Sequence, residues 1–125
     1  MGVLLRGTIV ENVPLFKASI RKRMLMLDGK GDLALTVDTG FSGGIALPST
    51  ILENIDAELA FYDTFKTATG EIIELPVYTG SVKIKNKTVD TWFIPGDSLL
   101  GMEFLSSIGN RLSFTLDKRT VRLSK

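Results

Sequence analysis

Val37-Asp38-Thr39-Gly40-Phe41-Ser42-Gly43-Gly44, VDTGFSGG, is the stretch whose reading decides the fold. It lies between two apolar runs, residues 33–37 and 45–47. Two patterns share Gly40. Residues 40–44 fit Gly-x-Ser-x-Gly, in which Ser42 would be a nucleophile on a sharp strand-to-helix turn. Residues 38–40 form Asp-Thr-Gly, in which Asp38 leaves an apolar strand and enters a loop. Gly40 would give that loop a turn too tight for a Cβ. The first pattern demands alternating strands and helices. The second does not.

The rest of the chain chooses between them. It has 125 residues and contains neither histidine nor cysteine. Imidazole is the usual base for a serine nucleophile and the commonest transition-metal ligand, so a Ser-His-Asp triad within the chain is excluded. Missing cysteine removes disulfide frameworks, thiol nucleophiles and thiolate metal sites. Gly43, Gly44 and the nearby Pro48 make a poor helix start after Ser42, as the elbow would need. Ser42 reads instead as a loop hydroxyl.

Hydrophobic residues make up 44% of the chain and charged ones 23%, the balance of one globular domain over residues 1–125. The net charge of +1 gives no general case for nucleic acid or an anionic membrane. Lys17, Arg21, Lys22 and Arg23 form a small basic cluster that reads as a solvated strand or loop. The first six residues lack a signal-peptide pattern, and Arg6 stands where myristoylation wants Ser or Thr. No apolar run approaches ~20 residues, so a cytoplasmic location is expected.

Twelve glycines and four prolines punctuate short apolar stretches, the pattern of an all-β domain. Strands are expected over 3–10, 16–27 (long and bent), 33–37, 81–85 and 88–94. The strand over 33–37 is nearly all apolar and is expected to be covered on both faces. Asp28 to Gly31 and Asn86-Lys87 are turns. Residues 64–68 and 71–78 flank Thr69-Gly70 as a hairpin. Thr50 and Glu53 have capping-box spacing, which predicts a short helix over 51–55. A second helix is expected over 102–108, stopped by Gly109-Asn110. Leu112, Phe114 and Leu116 then alternate with polar residues, Asp117 to Arg119 turn, and Val121 and Leu123 close the chain. The total is about eight strands and two short helices.

Three features recur in order: Asp38-Thr39-Gly40, the hairpin tipped by Ala68-Thr69-Gly70-Glu71, and Leu99-Leu100-Gly101 before a short apolar helix. In this the chain resembles the retropepsin-like (clan AA) aspartic peptidases, which include retroviral proteases and small prokaryotic relatives. The resemblance runs over nearly the whole chain. It implies an all-β fold, a small closed acid-protease barrel of short strands with a flap hairpin and one or two short helices. It also implies a homodimeric aspartic endopeptidase acting on extended peptides with no metal and no cofactor. Asp38 would be catalytic, and the second carboxylate would be Asp38 of another chain across a twofold axis. Asp97-Ser98-Leu99 is rejected as a second copy within the chain, because Leu99 replaces the needed glycine.

By position in the family pattern, Thr39 would tie the two active loops together and Gly40 would let them approach. Leu99, Leu100 and Gly101 would pack beneath the Asp38 loop and fix its shape. Ala68, Thr69, Gly70 and Glu71 would form the flap over substrate. One departure stands out. The family usually has a small residue after Asp-Thr-Gly, often one whose hydroxyl bonds the carboxylate. Here it is Phe41, with Ser42 as a substitute one residue later. Phe41 is read as core or dimer-interface packing. It also keeps open a catalytically silent dimerisation or peptide-binding module of the same fold. A small β-barrel binding domain, with Asp38-Thr39-Gly40 only a turn, is the reading from outside the family. The terminal hairpin pattern over 112–125 is compatible with a dimer contact or with an internal sheet edge.

Overall fold

A computed structural model describes residues 2–125. Strands hold 58% of the chain and helices 9%, so the domain is mostly β. Eleven strands, more than the eight expected, form one mixed sheet.

The first strand, β1 (Val3–Val10), runs over the residues expected. A two-residue turn at Glu11 and Asn12, both with positive φ, leads into β2 (Val13–Arg21). The long bent strand expected over 16–27 is broken at Lys22 and Arg23, whose φ values of 51° and 61° make a second tight turn before β3 (Met24–Met26). β-Branching and apolar content do not reveal such a turn, because neither Lys nor Arg is a usual positive-φ residue. β4 (Leu33–Val37) matches its expected bounds. It is not covered on both faces: Leu35 and Val37 are buried while Ala34 is exposed.

After the Asp38 loop come β5 (Ile45–Leu47) and the single-turn helix α1 (Ser49–Leu52). The capping box does not form. Pro48 is the N-cap and no side chain caps the helix. The hairpin expected over 64–78 is much longer, joining β6 (Ala57–Lys66) to β7 (Ile72–Ile84). β8 (Lys87–Pro95) returns beside the inner half of β7, and β9 (Leu99–Leu100) and α2 (Met102–Ile108) follow. β10 (Arg111–Thr115) and β11 (Thr120–Ser124) close the chain.

Seven of these strands join in a ring, β2-β3-β7-β8-β5-β9-β4, closed by the pairing of β2 with β4. Around it, β3 with β7, β4 with β9 and β5 with β8 are parallel. The ring encloses the apolar core, where Phe16, Leu25, Leu35, Ile45, Phe93 and Leu100 have no solvent contact. Phe104 and Leu105 of α2 belong to the same core. Outside the ring the sheet continues from β2 through β1 and β11 to β10. The terminal hairpin is thus paired within the chain, with β11 internal and β10 at the edge.

Closing a ring removes strand edges. Among the described residues, open edges remain on β10, on β6 and on the outer half of β7. Beyond Tyr78 the β6–β7 arm has no third strand, and residues 58–64 are exposed throughout. Leu59, Phe61, Tyr62 and Ile72 stand in solvent there, with the Phe61 ring edge-on to Trp92 of β8 at 5.4 Å.

Candidate active site

The Asp38 loop begins where β4 runs out of the core. β4 and β9 pair in parallel, Thr36 opposite Leu99 and Val37 opposite Leu100. The ladder is extended at both ends by the Thr36 amide, which donates to the Ser98 carbonyl at 3.0 Å, and the Asp38 amide, which donates to Leu100 at 3.1 Å. The expected contact between Leu99-Leu100-Gly101 and the Asp-Thr-Gly loop is therefore a run of backbone hydrogen bonds. Leu100 is fully buried beneath the loop.

A tight turn follows. The Phe41 amide donates to the Asp38 carbonyl at 3.2 Å, and the Gly40 amide donates to Asp38 Oδ1 at 3.0 Å. This is an Asx-type turn that holds one carboxyl oxygen with a backbone N–H. Asp38 is half-buried, while Thr39, Gly40 and Ser42 are exposed. Among the described residues, neither the Thr39 nor the Ser42 hydroxyl makes a hydrogen bond, so Ser42 does not substitute for the hydroxyl missing at position 41.

The rest of the loop is clamped by the start of α2. The amides of Gly101, Met102 and Glu103 have no partner inside the helix. The Gly101 amide donates to Gly44 at 2.7 Å and the Met102 amide to Phe41 at 2.8 Å. The Glu103 amide is shared between Ser42 at 3.3 Å and Gly43 at 3.2 Å. Loop carbonyls and helix amides thus satisfy each other, and the loop is tied to four consecutive residues from 100 to 103.

Close approach explains which glycines matter. A Cβ on Gly101 would stand 2.1 Å from the Gly43 carbonyl oxygen, and one on Gly44 would stand 2.4 Å from that of Trp92. Gly40 is different, and the expectation of a turn too tight for a Cβ fails there. Its φ is not positive, and a Cβ would meet only Asp38 Oδ1, at 3.4 Å. Nothing inside the chain demands glycine at 40. The Phe41 ring folds back onto Gly43, where a Cβ would lie 2.9 Å from its edge. Phe41 therefore packs on its own loop.

Ser42 is followed by β5, not by a helix, so no nucleophile elbow exists. Asp97 lies exposed in a bend before β9 and makes no side-chain hydrogen bond among the described residues. Ala68, Thr69, Gly70 and Glu71 sit at the tip of the β6–β7 arm, where a hairpin tip was expected, and all four are exposed. The tip is closed by its own atoms: the Thr67 amide donates to Glu71 at 2.8 Å, and the Thr67 hydroxyl accepts the Glu71 amide at 3.1 Å.

Sequence reading missed Gly43, Gly44, Met102 and Glu103 as parts of this site. Gly43-Gly44 points in sequence to a bend into a short extended segment, which β5 is, but not to a contact with α2. The Met102 and Glu103 amides carry no sequence signal, because any residue but proline supplies them. Asp38 lines none of the five best-formed hollows among the described residues. It is half-buried, beside the exposed Thr39 and Gly40. Compared with family models, characterised proteins and solved structures, the chain matches none of them.

Proposed function

We propose that the chain is one half of an aspartic endopeptidase, an acid-protease barrel that acts on extended peptides as a twofold-symmetric dimer. One observation carries this reading. The Asp38-Thr39-Gly40 turn is clamped from behind by residues 100–103, while Thr39 and Gly40 are exposed and a Cβ on Gly40 would meet only the turn's own Asp38 carboxyl. A rigid loop with a half-buried carboxylate at its surface and a glycine that needs no internal room is what a facing copy would require.

In that dimer the two Asp38 carboxyls approach to about 3 Å and share one proton, because both cannot ionise cheaply so close together. The ionised carboxylate takes a proton from a bound water. The water oxygen attacks the scissile carbonyl carbon while the protonated carboxyl donates to the carbonyl oxygen. The tetrahedral species then breaks its C–N bond and the proton passes to the leaving nitrogen. General acid–base help of this kind supplies about 10²–10⁴-fold in rate. The β6–β7 arm would close over the peptide and exclude water.

The second reading is a silent dimer of the same fold. Phe41 favours it, since the carboxyl is held by the Gly40 amide alone and no hydroxyl joins it. Sedimentation together with cleavage of an unfolded protein from acidic to neutral pH separates the two. The peptidase reading expects a dimer whose activity falls at least about 10³-fold in Asp38→Asn. A dimer that cleaves nothing supports the silent module, and a strict monomer at high concentration removes both. Gly40→Ala sharpens the test. Stability should change by less than about 1 kcal/mol, while activity and dimerisation are lost if a second loop faces Gly40.

A further inference from the structure

We infer that the outer face of the terminal sheet binds a compact polyvalent phosphate, a diphosphate- or triphosphate-bearing anion, between Arg6, Lys118 and Arg122. The inference is independent of the peptidase reading. It starts from a conflict in the sheet. β1 and β11 set Arg6 directly opposite Arg122. No other cross-strand pair among the described residues places two charged residues opposite each other. Like charges in that position destabilise a sheet, and their Cβ atoms stand about 5 Å apart.

Nothing in the chain relieves the pair. Arg23 with Asp56 is the one salt bridge among the described residues, and it lies elsewhere. Asp117 and Glu11 occupy turns at the end of this sheet, and neither comes within salt-bridge distance of a basic side chain. Arg6, Lys118 and Arg122 are all exposed, and none of their side chains makes a hydrogen bond within the described residues. Two guanidinium forks and an ammonium are left with every donor unused.

These three cations share a hollow of about 270 Å³ with the side chains of Thr115 and Thr120. Thr8, Thr120 and Thr115 form one cross-strand row, and Arg6, Arg122 and Ser113 form another. The hollow thus presents three positive charges and hydroxyl donors and no acid. Guanidinium forks match phosphate oxygens bidentately. Three charges suit a polyvalent phosphate better than a single carboxylate. No aromatic side chain lines the hollow, so a nucleotide base adds nothing and the phosphates are what is recognised.

Titration calorimetry of the intact protein with sodium pyrophosphate, at about 150 mM salt to screen loose contacts, tests this, with thermal melts alongside. Wild type should bind pyrophosphate and melt higher with it, and ADP should bind about as well. Arg6→Gln/Arg122→Gln should bind at least about tenfold more weakly. Its unliganded form should melt no lower than wild type, because the repulsive pair is gone. Arg122→Lys keeps the charge but loses the planar fork, so it should also weaken binding, and it serves if the double variant fails to fold. The inference is overturned by absence of binding to wild type, by equal binding in the variants, or by the same response to sulfate at matched ionic strength. It is equally overturned if only ADP or only an oligonucleotide binds, since neither the base nor a polymer is then incidental.

Discussion

The Asp38 loop and the tip of the β6–β7 arm are both short glycine turns, and they are held in opposite ways. The Asp38 loop takes most of its hydrogen bonds from residues 100–103, some sixty positions away in the chain. The arm tip takes its bonds from within residues 67–71. One turn is fixed by the tertiary fold and rests on a buried strand. The other would form on almost any hairpin and is surrounded by solvent. A group that must keep its position to a fraction of an ångström belongs on the first kind of support. A segment that must open and close over a ligand belongs on the second, where few buried contacts resist movement.

Substitutions at matching positions test that contrast. The largest effect is expected at Gly101→Ala. The new Cβ meets a backbone oxygen at 2.1 Å, so the loop or β9 must shift. Overpacking of this kind destabilises by about 3 kcal/mol or more, and urea unfolding measures it. A loss under about 1 kcal/mol would mean that the clamp between the loop and α2 is loose. At the arm tip, Gly70→Ala meets only the Lys66 side chain, at 3.9 Å, but its φ of 89° disfavours a Cβ. Backbone strain alone destabilises by about 1 kcal/mol, so this variant should unfold well after Gly101→Ala. The smallest effect is expected at Ile72→Ser. Ile72 is 71% exposed, and stability should change by about 0.5 kcal/mol or less. A larger loss would show that the outer arm is packed against something, such as a second copy. Hydrogen exchange sharpens the same comparison without mutation. The Asp38, Gly101 and Met102 amides should exchange only on global unfolding, and those of the outer arm by local opening.

Strand positions with plain alternation or an apolar run were legible: β1, β4 and α2 stand where expected. Errors fell where local chemistry misled. Lys22-Arg23 turn the chain although neither residue favours positive φ. Residues 57–63, Ala-Glu-Leu-Ala-Phe-Tyr-Asp, read as no strand because neither face is buried and no period emerges. They are extended because β7 pairs with them along the whole length. Thr50 and Glu53 have the spacing of a capping box, but the helix starts earlier, at Ser49, so Thr50 lies inside it and Pro48 takes the N-cap position.

Residue identity alone sets the chemistry open to this protein. It offers no imidazole and no thiol, one Asp-Thr-Gly after an apolar strand, and a glycine that separates two leucines from a short helix. Those are facts of residue identity, and folding does not alter them. Only the tertiary structure decided that the two segments touch, that seven strands close a ring, and that Arg6 meets Arg122. The physical reason is common to all three. They depend on backbone pairing between distant segments, and backbone amides and carbonyls are the same in every residue but proline. Side chains select which segments go inside, and register then decides which charges, hydroxyls and carboxylates become neighbours.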